Sequence, residues 1–64
     1  MPEVDPLYSV TRAAQLLDVS RDTVYRLINR RELPVVELGT GRAKQRIPAK
    51  ALAEFIAKRT HPAI

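Results

Sequence analysis

The chain has 64 residues, room for one domain and one modest core, because a domain this small buries only about 60% of its unfolded surface; a catalytic cleft framed by several loops is hard to fit. Eleven Lys and Arg against seven Asp and Glu give a formal net charge of +4 and a pI of about 10.1, which favours an anionic partner without naming it. No cysteine is present, which removes disulfides, thiolate metal sites and a cysteine nucleophile together.

Residues 1–7 carry Pro2 and Pro6 with Glu3 and Asp5, a composition that resists helix and predicts a flexible N-terminal arm, with order beginning near Tyr8. Thr11 is the expected N-cap of a first helix running to about Leu17, with Ala13, Ala14 and Leu17 on one face and Arg12 and Gln15 on the other. Asp18 and Val19 make a turn. Ser20 caps a second helix over residues 21–30, and Val19 before the cap with Val24 inside the helix matches a hydrophobic staple. Val24, Leu27 and Ile28 form its buried stripe, leaving Arg21, Asp22, Tyr25, Arg26 and Asn29 outward.

Pro34 stops helical continuation. Residues 35–38 favour strand, Gly39, Thr40 and Gly41 a turn, and residues 45–47 a returning strand, together a small hairpin or wing. Pro48 suits the first turn of a third helix through about Lys58, with Ala51, Leu52, Phe55 and Ile56 on its apolar face. Lys50, Glu54 and Lys58 lie on its exposed face, a candidate protein contact along with the tail. The predicted organisation is an arm at 1–7, a single domain at 8–59 and a C-terminal tail at 60–64. The expected fold class is mostly α with a small two-stranded β wing.

Two short helices joined by a tight turn, the second rich in arginine, form the pattern of a helix-turn-helix DNA reader. A helix fits the major groove of B-DNA, and its N-terminal and outward positions reach base edges. Those positions are Ser20, Arg21, Asp22, Thr23, Tyr25, Arg26 and Asn29. Arginine forks onto guanine, asparagine pairs with adenine, and hydroxyls bind phosphate oxygens. Asp22 has three readings: an acceptor for cytosine, a partner for Arg26, or a first-turn acid complementing the helix dipole, the last two being favoured. In the wing, Arg42, Lys44 and Arg46 suit phosphates or a narrow minor groove; Arg46 has the alternative of pairing with Glu37.

The residues Tyr8, Ser9, Val10 and Thr11, then Ala13, Ala14 and Leu17, Val19 and Ser20, the run from Thr23 to Ile28, Glu32, Leu33 and Pro34, and Arg46, Ile47 and Pro48 resemble excisionase-type, MerR-like winged helix-turn-helix domains. The resemblance implies that the second helix enters the major groove and the wing contacts the adjacent minor groove. Carried over by position, Arg21, Thr23, Tyr25 and Arg26 correspond to recognition-helix contacts and Arg42 and Lys44 to wing contacts. Arg31 stands where the family pattern often has glycine, and the wing tip lacks the aromatic that many relatives carry.

The resemblance further implies a phage or mobile-element excisionase, a recombination directionality factor that binds attachment-site DNA, bends it and helps an integrase excise. A small single reader binds weakly, so several adjacent copies are expected to act cooperatively. MerR-like regulators usually add a dimerisation helix and an effector domain, for which the chain after the third helix leaves no length. The same surface would serve a minimal transcription regulator or phage repressor at a promoter. A basic protein-interaction module is the alternative from another class. Enzyme activity is not expected, because Asp22, Glu32, Glu37 and Glu54 show no metal or acid/base spacing. No cofactor, metal, small-molecule ligand or membrane partner is expected either: His61 is the lone histidine, and the apolar runs fall far short of the roughly 20 residues of a bilayer span. The expected location is the cytoplasm of a bacterial host.

Overall fold

The computed structural model describes residues 4–62, with every side chain in that range except that of Arg42. In chain order the elements are β1 (Leu7–Ser9), α1 (Val10–Leu17), α2 (Arg21–Asn29), β2 (Val36–Glu37), β3 (Gln45–Pro48) and α3 (Ala49–Arg59), with a 3-10 turn at Arg42–Lys44 leading into β3. This is the predicted arrangement of three helices and a wing, with one strand added.

The sheet has three antiparallel strands in the order β1-β3-β2. Tyr8 faces Ile47 and Ser9 faces Arg46 across one ladder, while Val36 faces Arg46 across the other. The wing is thereby sewn to the start of the domain rather than standing as an isolated hairpin. Of the expected arm, residues 1–3 lie outside the described residues, and residues 4–6 have no regular structure. Leu7 is already in β1, and the Pro6 carbonyl accepts a hydrogen bond from the Ala49 amide at 2.8 Å.

α1 begins one position before the expected cap. Ser9, not Thr11, is the N-cap: its hydroxyl accepts from the Arg12 amide at 3.0 Å, satisfying a donor that the helix itself leaves open. Starting there brings Val10 into the core at 5% exposure and leaves Thr11 exposed in the first turn. Ser20 caps α2 as expected, accepting from the Thr23 amide at 3.2 Å. Pro48 ends β3 and stands at the N-cap of α3, with extended backbone, rather than within its first turn.

Both helices of the helix-turn-helix end in the same way. Val19 donates to Ala14 (3.0 Å) and Asp18 to Gln15 (3.2 Å); Glu32 donates to Leu27 (2.9 Å) and Arg31 to Ile28 (3.0 Å). These are the paired bonds of a Schellman motif. Each needs a left-handed residue, supplied here by Asp18 at φ 57° and Arg31 at φ 60°. Arginine at that position takes on the left-handed backbone that glycine would adopt without steric penalty.

The core consists of Val10, Ala13, Ala14, Val24, Leu33, Ile47 and Leu52. Ala13 and Ala14, both buried, are small enough for α1 to pack closely on α2. Tyr8, Leu17, Tyr25, Leu27, Ile28, Val35 and Phe55 close over this core from the side. Two expectations fail here. Ile56 is 45% exposed and is not part of the α3 core face, and Val19 remains 39% exposed, which leaves little burial for the expected staple. The exposed face of α3 does carry Lys50, Glu54 and Lys58.

Candidate nucleic-acid interface

The outward side of α2 forms a shallow groove lined by Asp22, Tyr25, Arg26, Asn29 and Arg30. Arg26 and Asn29, three positions apart and so on adjacent turns of one face, are exposed and can project toward a ligand. Asp22 lies in the first turn, where a carboxylate complements the helix dipole. The ion pairs among the described residues do not include one between Asp22 and Arg26.

Ser20 and Thr23 are used differently from the sequence expectation. The Ser20 hydroxyl accepts from the Thr23 amide and also shares a hydrogen bond with the Thr23 hydroxyl at 3.0 Å. Both hydroxyls are therefore engaged in the cap, and Thr23 is half-buried. Tyr25 is also half-buried and packs against the core instead of standing fully outward.

A second cleft opens where α1, α2 and the wing meet. Ser9 and Thr11 come from the start of α1, Arg21 and Tyr25 from α2, and Gln45 and Arg46 from β3. No carboxylate lines it. Tyr25 lines both this cleft and the α2 groove, forming the ridge between them. Arg46 does not pair with Glu37 among the described residues; its Nη1 donates to the carbonyls of Ala43 at 2.8 Å and Gln45 at 2.9 Å. Held in this way and half-buried, its guanidinium sits at the root of the wing.

At the wing tip, the Leu38 amide donates to the Lys44 carbonyl at 2.8 Å and the Lys44 amide to that of Gly41 at 3.2 Å. Gly41 has φ 91°, a conformation that side-chain-bearing residues rarely adopt. Lys44 is exposed, while its stem runs past Gly39, where an added Cβ would stand 3.2 Å from the Lys44 Cγ. The side chain of Arg42, the third expected wing contact, lies outside the described residues.

The structure thus brings Arg21, Tyr25 and Arg46 to one cleft, and Tyr25, Arg26 and Asn29 to the adjoining groove. Arg30 in the groove and Ser9, Thr11 and Gln45 in the cleft were not among the expected contacts. The period-3.6 pattern of α2 continues through Arg30 and could have found it; the other three are brought in only by the β1–β3 pairing. Among the described residues, no group of three His, Cys, Asp or Glu is placed to hold a metal ion. No described helix is long and apolar enough to cross a membrane.

The sequence profile of the helix-turn-helix domain family matches residues 7–60. The chain belongs to this family. Neither a curated protein nor a solved structure matches it significantly. As a helix-turn-helix domain, the chain has the architecture of a DNA-binding module, and the two adjoining concavities lie on its second helix and wing.

Proposed function

We propose that this domain is an architectural DNA-binding protein of the excisionase type, acting without chemistry or a cofactor of its own. In this reading α2 enters the major groove, with Arg21, Tyr25, Arg26 and Asn29 as the recognition-helix contacts and Ser20 and Thr23 fixing the helix start. The wing, through Arg42, Lys44 and Arg46, follows the backbone beside it. Several copies occupy adjacent sites in an attachment region, deform the DNA between them and assist an integrase in excision, in the cytoplasm of a bacterial host.

The observation that carries this reading is the continuity of the polar α2 groove with the acid-free cleft at the wing root, joined at Tyr25. A duplex laid along that surface meets hydrogen-bonding groups on the helix and cations on the wing together. The resemblance of the motifs to excisionase-type, MerR-like domains supports the finer assignment.

An excision assay with the cognate integrase and attachment DNA tests it. Stimulation of excision, with a footprint spanning several adjacent sites, is the expected result. Binding at a promoter with altered transcription and no effect on excision would assign the same surface to a minimal regulator instead. Failure to retain duplex DNA at moderate salt would point to a protein-interaction module.

A further inference from the structure

We infer that the cleft at the wing root is a seat for a single DNA backbone phosphate, held between Arg21 and Arg46. This rests on the DNA-binding reading above and reassigns both arginines within it. Arg21 leaves the base-reading set, and Arg46 leaves the wing tip.

Arg46 is the fixed member of the pair. Ser9 lies opposite it on one side and Val36 on the other, so its backbone is fixed in the middle of the sheet. Its Nη1 group is held by the carbonyls of Ala43 and Gln45, which sets the orientation of the guanidinium. An arginine has five N–H donors in a planar fork. With Nη1 engaged, the Nε and Nη2 donors have no partner among the described residues and remain for a ligand. A guanidinium fixed at the base of the wing does not extend into a minor groove, as a cation on a mobile tip would; it presents a preorganised edge to whatever enters the cleft.

Arg21 is the second arginine of the cleft. It is the first residue of α2, and it lines this cleft and not the α2 groove that holds Arg26 and Asn29. It therefore belongs to the junction with the wing and not to the groove of Arg26 and Asn29. The cleft gathers two arginines from separate elements, like charges that an anion between them would offset, and no carboxylate lines the cleft to do so. Thr11 and Gln45 add neutral polar groups at the rim. This combination suits a singly charged oxyanion with several acceptor oxygens, which is the chemistry of a phosphodiester, and arginine forks onto it bidentately. A phosphate seated there would fix the register of α2 in the major groove while carrying no sequence information itself.

The test is a double-mutant cycle on duplex binding, measured by fluorescence anisotropy with a mixed-sequence duplex, using Arg21→Gln, Arg46→Gln and the pair. Lys58→Gln, which removes the same charge from a different groove, is the control. Each single cleft variant should weaken binding by about tenfold, the scale of a charge-assisted hydrogen bond, and the control by no more than about twofold. Because both arginines hold one phosphate, the pair should lose clearly less than the product of the single losses. Multiplicative losses, or a loss in the Lys58 control equal to those in the cleft, would overturn the shared seat while leaving DNA binding intact. Failure of the unaltered domain to bind the duplex would instead overturn the DNA-binding reading and the seat with it.

A measurement on the unaltered domain covers the case in which Arg46→Gln does not fold. Titration with inorganic phosphate, followed by NMR, should shift the Val10, Thr11 and Arg21 amides and the Arg46 Nε–H together. Shifts spread over the exposed lysines instead would contradict the seat.

Discussion

Arg59, the last residue of α3, forms an ion pair with Glu32, just beyond α2, while its guanidinium lies 4.7 Å from the centroid of the Phe55 ring. Glu32 also approaches Arg30 at 3.5 Å. One carboxylate thus links the end of the recognition helix to the end of the last helix, twenty-seven positions away in the chain. The pair is partly exposed, so its contribution is modest and screened by salt. A double-mutant cycle of Glu32→Gln and Arg59→Gln should give a coupling energy of about 0.5 kcal/mol by urea denaturation, smaller at high salt. Arg59→Gln alone should cost more than Glu32→Gln, because it also removes the contact over Phe55, worth about 0.5–1 kcal/mol at an exposed site.

Arg31 stands at φ 60° in the closing motif of α2, where glycine has no steric penalty. Arg31→Gly should therefore stabilise the domain by about 1 kcal/mol, the strain of a side-chain-bearing residue in the left-handed region net of glycine's greater unfolded-state freedom. Asp18→Gly should gain less, because aspartate tolerates this region better than arginine. Thermal denaturation of both variants checks the order, and a loss of stability in Arg31→Gly would contradict the strain account.

The helix starts give an internally controlled comparison. Ser9→Ala and Ser20→Ala should each destabilise the domain by about 1 kcal/mol through loss of the capping oxygen. Thr11→Ala, at an exposed position inside the first turn, should fall within about 0.5 kcal/mol of the unaltered domain. Equal losses at Ser9 and Thr11 would mean that α1 starts elsewhere.

Leu33 is 1% exposed and fills the core just after α2. Leu33→Ala should cost about 2–5 kcal/mol through lost burial and the cavity left behind. Against the roughly 5 kcal/mol at the lower end of domain stabilities, that leaves at most about 3 kcal/mol, so the melting transition should fall well below that of the unaltered domain. Circular dichroism melting reads the result directly.

The helix-turn-helix was legible because its signals are local. Ser20 before an apolar stripe of Val24, Leu27 and Ile28, and Pro34 beyond it, fix α2 within a few residues. Gly41 and the strand-forming residues on either side of the turn likewise predict the wing. β1 was not legible: Leu7, Tyr8 and Ser9 are too few to show alternation, and they become a strand only because β3 is present to pair with them. That non-local pairing is also what brings Ser9 and Thr11 beside Arg46, so the cleft could not be read from the sequence even though Arg21, Tyr25 and Arg46 were each singled out. The Thr11 cap failed for a related reason. Both Ser9 and Thr11 are good caps by residue type, and burial of Val10 in the shared core selects the earlier one.

On the proposed reading, this surface holds duplex DNA largely through its phosphates. The most direct measurement is the affinity for a short duplex between 50 and 300 mM salt, which spans the range where counterion release dominates, about 0.9 of a log unit per neutralised phosphate. With about five phosphates neutralised by the basic groups of α2 and the wing, the log–log slope should be about −4 to −5. An affinity that hardly changes over this range would contradict the account.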